Sequence, residues 1–588
     1  MKKECERSCE EGKKRVKYKI GDYFLKGIKD MKFFRPKIID SLKGYTGKQL
    51  LSDLVAGLIV AIIALPLSIA LAIASGAQPV QGLYTAIVAG FVIALLGGSR
   101  VNISGPTAAF ATIVAGIIAT EGMSGLILAT IMAGIILILM GVLRLGTLIK
   151  YIPHTITTGF TSGIAVTIVI GQIKDFLGLS FRKGASPVEA IEKLEEIGHS
   201  ITTVNWWALL VGLFGLAILI VWPRVSKKIP GSLIAVLAGA GLVALLSIWN
   251  IEVLTIGDLY SINASAPTPS LPAGFTWEKA MRLLPSAFTI AILAAIESLL
   301  SCVVSDEMID DRHNSNTELL ALGAGNICSG LFGGIPATGA IARTAANVKN
   351  GGRSPISGMV HAVVLLLVLL FLMPYASYIP MPIIAAILFI VAYNMSEWRQ
   401  FVKICKTAPL SDVLVLVLTF VLTIVFDLVV AIAVGMVLTV LLFMKRMADV
   451  TYVRSWNDEQ FLASHDNQRL KDIPDYTAVF EIEGPMFFAS SEKFRALPVK
   501  SDVRVVILRM RDVPMLDASG SKNLFSILAD CRAKGRVLLI SHPGEQPLSV
   551  MKKSGFIKEV GEENILPNID EALSRAAQIG GVDLQEDR

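Results

Sequence analysis

The chain has 588 residues, of which 53% are hydrophobic and only 17% are charged, and its mean hydropathy is +0.62. A soluble protein of this length would carry more charge and would divide into several domains. Long apolar runs, such as 54–74 and 126–143, recur between residues 51 and 444, and each approaches the ~20 residues that a helix needs to cross a bilayer. The composition therefore excludes an ordinary soluble protein and predicts an integral membrane protein.

The first 50 residues form a basic region, with 15 Lys or Arg against 7 Asp or Glu. Beside membrane spans, such a segment marks the cytoplasmic side. We expect no signal peptide, because no early apolar stretch with a small-residue cleavage site precedes the first span. The six cysteines include no Cys-x-x-Cys pair, so we expect no disulfide framework, no metal site and no cofactor.

The apolar segments between residues 51 and 446 predict about fourteen spans. Basic residues gather in the loops after even-numbered spans, for example Lys227 with Lys228, and Arg399 with Lys403. Loops on the other side, such as 374–381, carry little charge. By the positive-inside rule, both termini are predicted to face the cytoplasm.

Two predicted spans, 105–119 and 338–348, are too short to cross the hydrocarbon alone. Both open with Gly- and Pro-rich segments, Ser104-Gly105-Pro106-Thr107 and 333–340. A helix N-terminus carries roughly half a positive charge and unpaired amides, which are costly inside a membrane unless something accepts from them. Because the two segments occupy corresponding places in the two halves of the chain, they predict an inverted repeat with an anion site at the midplane. The alternative is two re-entrant kinks that only fill space.

Two charged residues lie within apolar spans. Glu297 falls in the run 291–301, and Arg343 lies five residues into the second short span. Such residues usually face a cavity or a partner, because an acid or base at the centre of a membrane helix costs at least ~2.5 kcal/mol. An apolar setting favours the neutral form of a carboxyl group, so Glu297 is a candidate proton carrier, whereas Arg343 keeps its charge and could hold an anion. The alternative is a structural ion pair. Asp53, at the start of the first span, is interpreted as a helix cap.

After residue 450 the pattern changes to short apolar stretches, at 478–482, 503–508 and 537–540, that alternate with helical patterns. Strand and helix in alternation predict a small α/β domain. We therefore divide the chain into a basic region (1–50), a transmembrane domain (51–446), a linker (447–470) and an α/β domain (471–580).

With these residues in hand, the sequence resembles the SulP family of sulfate permeases and related anion transporters. The likeness is carried by the first span from Asp53 to Pro66, Gly82-Leu83-Tyr84, Ser104-Gly105-Pro106, Ala295-Ile-Glu297-Ser298 and Ile341-Ala-Arg343-Thr344. It implies an α-helical polytopic membrane protein with two inverted repeats of seven spans, arranged as a core and a gate domain, and no enzymatic activity. Members usually form homodimers and use elevator-like alternating access; here the expected location is the bacterial inner membrane.

The resemblance also implies roles for individual residues. The anion would lie between helix starts at Thr107-Ala108 and Ile341-Ala342, with Arg343 behind it and Leu71 of a broken first span lining the site. Glu297, with Ser301 one turn later, matches the carboxylate position that couples transport to H⁺ or Na⁺, and Glu in place of Asp favours H⁺. Thr107 and Leu71 stand where some members carry aromatic side chains, so the size of the pocket differs.

Within the family, the segments 159–164, 338–347 and 393–397 resemble those of bacterial C4-dicarboxylate-type transporters. The sequence therefore predicts proton-coupled uptake of a small dianion such as a C4-dicarboxylate. Sulfate or bicarbonate transport is an alternative, as is an uncoupled exchanger or channel, because a shared backbone does not fix a substrate. A membrane-anchored sensor is a third class, and the paired half-helices argue against it.

The C-terminal domain resembles a STAS domain. Asp517-Ala518-Ser519-Gly520 matches the motif whose serine is phosphorylated in soluble relatives, and a phosphate is favoured at a helix start. The alternative is that Ser519 is simply the N-cap of the helix. A cytoplasmic partner for this domain is a further expectation, and a nucleic-acid partner is not expected.

Overall fold

The computed structural model describes residues 34–147, 153–182, 187, 189–226, 230–260, 265–270, 276–426, 428–456, 473–494, 499 and 501–580. Residues 1–33 of the predicted basic region and 457–470 of the predicted linker lie outside this set. The chain divides into two compact units, Met1–Met436 and Val437–Arg588. The first unit is helical and the second contains an α/β domain.

The apolar runs of the sequence form the helices of the membrane region. Among the described residues, nine helices are long and apolar enough to cross a membrane, when Ala108–Val142 is counted as one. The helices before residue 450 are α1 (Lys37–Ser41), α2 (Gly47–Ala74), α3 (Pro79–Leu96), α4 (Ala111–Val142), α5 (His154–Leu177), α6 (Ala190–Ser200), α7 (Trp206–Val225), α8 (Gly231–Ser247), α9 (Ile256–Leu259), α10 (Trp277–Ile309), α11 (Ser315–Leu331), α12 (Ile341–Lys349), α13 (Pro355–Leu372), α14 (Met381–Met395), α15 (Trp398–Thr407), α16 (Leu410–Val425) and α17 (Leu428–Val450).

The helices fall into two sets of seven spans. Helix α4 turns at Gly122, whose φ of 68° lies in the left-handed region that glycine tolerates, so α4 supplies two spans. With α2, α3, α5, α7 and α8 it completes the first set, and α10 to α14, α16 and α17 form the second. Because seven is odd, the second set crosses the membrane in the opposite direction to the first. The predicted polytopic fold with an inverted repeat is confirmed.

Helices α4 and α11 cross at glycines. A Cβ added to Gly134 would lie 2.6 Å from the carbonyl oxygen of Gly323, and a Cβ added to Gly323 would lie 2.5 Å from that of Gly134. Small residues at such crossings let membrane helices approach closely enough for backbone packing, which is a main source of their association. The crossing fixes α11 against α4, and both helices contribute to the site described below.

We expect Gly323→Ala to lower the free energy of unfolding by about 2 kcal/mol, because the new methyl group would meet backbone and force the helices apart. Thermal unfolding of the detergent-purified protein measures this. The matched control is Gly241→Ala in α8, where an added Cβ meets nothing within 4 Å. Equal unfolding temperatures for the two variants would contradict the close crossing.

The start of α2 is capped differently from the prediction. Thr46, not Asp53, is the N-cap of α2. Asp53 is buried in the second turn and accepts hydrogen bonds from the backbone amides of Arg353 (2.8 Å) and Ser354 (3.3 Å), so it caps the region before α13 instead. The hydroxyl of Tyr45 also donates to Asp53, and burial together with this hydrogen bond raises the pKa of Tyr45 to about 12. Asp53 therefore ties the beginning of the first half to the second half.

The second unit contains a five-stranded sheet. The strands are β3 (Tyr452–Ser455), β4 (Thr477–Glu483), β5 (Val505–Asp512), β6 (Val537–Ser541) and β7 (Ile565–Leu566), in that spatial order. The β3–β4 pair is antiparallel and the other pairs are parallel. The helices that follow α17 are α18 (Ala518–Ala533), α19 (Glu545–Ser554), α20 (Phe556–Val560) and α21 (Ile569–Gly580). The predicted C-terminal α/β domain is confirmed.

Candidate functional site

Two short strands hold the half-helices together at the centre of the first unit. Strand β1 (Ser104–Gly105) pairs antiparallel with β2 (Thr338–Gly339), and all four residues are buried. The backbone amide of Ala340 also donates to the carbonyl oxygen of Ile103 at 2.9 Å. After β1 the chain enters a 3₁₀ turn at Ala108–Phe110, which leads into α4. After β2 it enters α12 at Ile341. The pairing places the two helix starts next to each other.

Both helix starts lack side-chain caps. Thr107 and Ala340 occupy the N-cap positions, and among the described residues neither receives or supplies a side-chain capping hydrogen bond there. The Thr107 hydroxyl instead donates to Glu297 Oε2 on α10 at 2.9 Å. The positive ends of the two helix dipoles are therefore not neutralised by a cap. The structure brings together Thr107, predicted to line the anion site, and Glu297, predicted to couple transport, and this contact was not predicted from the sequence.

Arg343 lies behind the helix starts. Its side chain is 1% exposed, and its Nη2 donates to the carbonyl oxygen of Pro106. Within the described part of the chain, Nε and Nη1 have no hydrogen-bond partner, and Arg343 forms no salt bridge, although it interacts electrostatically with Glu297. A buried cation with unused donors is unfavourable unless an anion compensates for it. The arrangement can therefore bind a small anion without a metal ion.

Residues at the start of α12 are exposed on one side of the site. Ile341 is 42% exposed, Thr107 and Glu297 are half-buried, and the accessible face of α12 continues along the helix. The stripe of exposed or half-buried residues on this face consists of Ile341, Ala342, Ala345, Ala346 and Lys349. This stripe ends where Gly351 accepts a hydrogen bond from the Ser52 hydroxyl near the start of α2. The exposed face of α12 therefore lies on the side on which the first span begins.

On the opposite side of the site, the part of α10 next to Glu297 is buried. A separate cavity of about 410 Å³ lies between α4, α5, α10 and α16, and Thr112 and Thr289 are among its lining residues. Between Thr289 and Glu297 on α10, both Ile290 and Leu293 are 0% exposed. The side on which α2 begins thus presents exposed residues of α12, whereas buried side chains of α10 lie between Glu297 and the cavity that Thr289 lines.

Leu71 does not lie in a broken helix. Helix α2 runs continuously through Pro66, contrary to the expected break, and Leu71 is 2% exposed. Proline removes one amide donor, but a membrane helix tolerates it when neighbouring groups satisfy the freed carbonyl. Helix α2 packs against α12, so Leu71 belongs to a helix beside the half-helix start.

Ser301 is separated from the Thr107–Glu297 contact. It is 1% exposed, and its hydroxyl lies 2.7 Å from Asn102 Oδ1 and 3.2 Å from Thr344 Oγ1. Sequence reasoning missed Asn102 and also Glu318, a buried carboxylate whose Oε1 accepts from Asn102 Nδ2 at 2.7 Å. The sequence signal that could have identified Glu318 as a candidate is its position as a carboxylate near the start of a predicted span. Within the described ranges, no group of three or more His, Cys, Asp or Glu residues could hold a metal ion.

In the α/β domain, Asp517 rather than Ser519 is the N-cap of α18. Asp517 Oδ1 accepts from the backbone amide of Gly520 at 2.7 Å, and Oδ2 accepts from that of Phe488 at 3.1 Å. Ser519 lies in the first turn of the helix and is half-buried. The reading of Ser519 as a cap is wrong, and its phosphorylation stays a prediction.

Comparisons with known proteins agree with this architecture. Residues 50–419 match the model of the sulfate permease family, and residues 468–572 match that of the STAS domain. "Putative sulfate transporter YvdB" of Bacillus subtilis (strain 168) is 38% identical over 533 residues, which covers 90% of this chain and 98% of that protein. The bicarbonate transporter BicA of Synechocystis sp. is 31% identical over 554 residues, which covers 92% of this chain and 96% of that protein.

Two solved structures are also similar. The transmembrane domain of a cyanobacterium bicarbonate transporter BicA has a TM-score of 0.60 at 32% identity, covering 66% of this chain and 98% of that chain. The structure of SLC26A9 has a TM-score of 0.83 at 20% identity, with 94% of each chain covered. The second likeness shows the fold: a membrane region of this type followed by an α/β domain.

Proposed function

Because this chain belongs to the sulfate permease family, we propose that it moves sulfate or bicarbonate across the membrane by secondary active transport. Sulfate and bicarbonate are the anions in the names of relatives that are 38% and 31% identical to it. The C4-dicarboxylate suggested by three short segments of the sequence has no counterpart in those names. The relatives therefore favour the alternative that the sequence left open.

One observation carries the proposal: the buried guanidinium of Arg343, which forms no salt bridge with any described residue, lies beside two helix starts without side-chain caps. Arg343 has two nitrogens without partners among the described residues, and the helix starts at Ala108 and Ile341 add the positive ends of two dipoles. A small oxyanion could accept from the free amides while Arg343 supplies charge from behind. The exposed Ile341 and half-buried Thr107 leave the space through which the anion would enter.

Glu297 supports coupling of the anion to a cation. Its carboxylate interacts electrostatically with Arg343, so when it is ionised it opposes the positive charge of the site. Binding a proton would remove that opposition and strengthen the attraction for an anion. Proton and anion would then bind together, which is the basis of symport. A sodium ion beside the carboxylate would act in the same direction.

Alternating access accounts for the difference between the two sides of the site. On the side on which α2 begins, Ile341 of α12 is exposed, whereas on the other side Ile290 and Leu293 of α10 are fully buried. An elevator-like movement of the half-helices relative to α5 and α16 would exchange the two conditions. A homodimer in the bacterial inner membrane, with both termini in the cytoplasm, is part of the same proposal.

Uptake into liposomes that contain the purified full-length protein tests the function. Radiolabelled sulfate, bicarbonate and fumarate would each be supplied with an inward proton gradient, an inward sodium gradient, or no gradient. We expect sulfate or bicarbonate to accumulate above equilibrium with one cation gradient, while fumarate does not. Accumulation of fumarate alone would contradict the proposed substrate class. Uptake that no gradient drives above equilibrium would indicate an uncoupled exchanger or channel.

The contact between Gly105 and Arg343 provides a further prediction. A Cβ added to Gly105 would lie 2.6 Å from Arg343 Nη1, so Gly105→Ala must displace the guanidinium. We expect KM for the transported anion to rise about tenfold, because displacing a charged group weakens its interaction with the ligand by about 1.4 kcal/mol. Gly116→Ala in α4 is the control, since an added Cβ there meets nothing within 4 Å. A KM that is unchanged in both variants would mean that the Arg343 guanidinium does not contribute to anion binding.

A further inference from the structure

A second buried carboxylate lies behind the site, outside the groups assigned so far. Glu318 on α11 is 1% exposed and accepts four hydrogen bonds. Its Oε2 accepts from the backbone amides of Gly98 (2.8 Å) and Ser99 (3.2 Å). Its Oε1 accepts from Asn102 Nδ2 (2.7 Å) and from the Ser298 hydroxyl (3.3 Å). Among the described residues it forms no salt bridge, so these four donors, together with the Cys302 thiol that also contacts it, compensate for its burial.

Asn102 connects this carboxylate to both half-helices. Its Oδ1 accepts from the hydroxyls of Ser301 (2.7 Å) and Thr344 (3.1 Å). Thr344 Oγ1 in turn accepts from the backbone amide of Ile103 at 3.0 Å. Asn102 stands two residues before β1, and Thr344 is the neighbour of Arg343 in α12. One chain of hydrogen bonds therefore runs from Glu318 to the segment before α4 and to the first turns of α12.

The geometry points to Glu318 as a positioning residue: it fixes Asn102, and through Asn102 it sets the distance between the two helix starts that would hold the anion. This inference rests on the proposed anion site, but Glu318 itself does not touch the anion. The direction of each hydrogen bond is fixed, because a carboxylate only accepts and a backbone amide only donates. Asn102 must present its NH₂ to Glu318 and its oxygen to Ser301 and Thr344.

Because these directions are fixed, exchanging the amide and the carboxylate between positions 102 and 318 tests the inference. In Glu318→Gln, the new NH₂ must face another donor, either Asn102 or the amides of Gly98 and Ser99. In Asn102→Asp, two carboxylates face each other. In the double variant, the NH₂ of the new glutamine can donate to the new aspartate, whose other oxygen still accepts from Ser301 and Thr344. Each single variant should therefore damage the site and the double variant should repair it.

Two measurements on the full-length protein decide the matter. Hydrogen–deuterium exchange at 98–106 and 338–346 should be faster in each single variant and return close to wild type in the double variant, with exchange in the α/β domain unchanged. In liposomes, KM for sulfate or bicarbonate should rise at least about tenfold in the single variants and recover to within about threefold in the double variant. Glu307→Gln, at an exposed position on α10, is the control for loss of one carboxylate.

The outcomes are distinct. Single variants that exchange and transport like the Glu307→Gln control would overturn the inference, as would a double variant as impaired as the single ones. Faster exchange throughout the membrane helices of the single variants would also overturn it, because it would indicate general destabilisation. If wild type transports neither anion while the exchange pattern follows the swap, the positioning role stands and the proposed function fails.

Discussion

Replacing Arg343 with glutamine is expected to reduce kcat/KM for anion uptake about 100-fold, since hydrogen bonds to a charged group contribute about 1.5–3 kcal/mol. The guanidinium is fully buried, is not paired in a salt bridge with any described residue, and lies behind the helix starts at Thr107 and Ile341. Glutamine retains a donor for the carbonyl oxygen of Pro106 but removes the charge. Initial rates of sulfate and bicarbonate uptake over a range of concentrations measure the effect.

Stability separates this prediction from simple misfolding. Because Nε and Nη1 of Arg343 have no partner among the described residues, glutamine removes unsatisfied buried donors, and the unfolding temperature should stay the same or rise. Arg399→Gln removes one positive charge from the exposed surface of α15 and should leave uptake unchanged. Arg343→Lys keeps the charge without the planar fork and should give an intermediate rate. Uptake by Arg343→Gln equal to that of Arg399→Gln would exclude an anion-holding role.

The half-helices could be predicted from local sequence because their signals are local. Glycine and proline interrupt apolar runs at 104–106 and 333–339, and the runs that follow are too short to span a bilayer. The predicted starts, 105 and 338, each precede the observed ones, the 3₁₀ turn at Ala108 and α12 at Ile341, by three residues. The reason is the pairing of β1 with β2, which keeps these residues extended. That pairing joins segments far apart in sequence, so a local pattern cannot show it.

The polar network behind the site could not be predicted for the same reason. Asn102 and Glu318 are 216 residues apart, and Thr107 and Glu297 are 190 apart. Asn102 and Glu318 are unremarkable in their own segments, since Asn and Glu near a span boundary usually face water. Glu297 stands out in its apolar run, but the run does not show that Thr107 is its partner. Only the packing of α10, α11 and α12 around β1 makes them partners.

Helix caps were the least predictable local feature. Thr46 and Asp53, and likewise Asp517 and Ser519, lie within one or two turns of each other and are all residue types that cap helices well. The choice between them depends on where the preceding chain becomes extended, and tertiary contacts decide that. Asp53 accepts hydrogen bonds from the backbone just before α13, because Arg353 and Ser354 lie beside it in the fold.

For Glu297→Gln we expect gradient-driven accumulation to disappear while exchange of anion for anion continues. The amide oxygen of glutamine can still accept from the Thr107 hydroxyl, so the contact seen at 2.9 Å is retained and the site keeps its shape. What is lost is the ionisable group that opposes Arg343 when deprotonated. The site would then attract anions at all times, and anion binding would no longer depend on a cation.

The measurement compares two assays on the same liposomes. With one proton coupled to each anion, an inward gradient of one pH unit supports about tenfold accumulation, which is 1.36 kcal/mol of driving force. Glu297→Gln should reach only the equilibrium level in that assay, yet exchange external labelled anion for internal unlabelled anion at a rate within about threefold of wild type. Glu307→Gln, ten residues further along α10 and exposed, should accumulate like wild type. Accumulation by Glu297→Gln that still follows the gradient would mean that the coupling group is elsewhere, whereas loss of both activities would mean that Glu297 is needed to bind the anion itself.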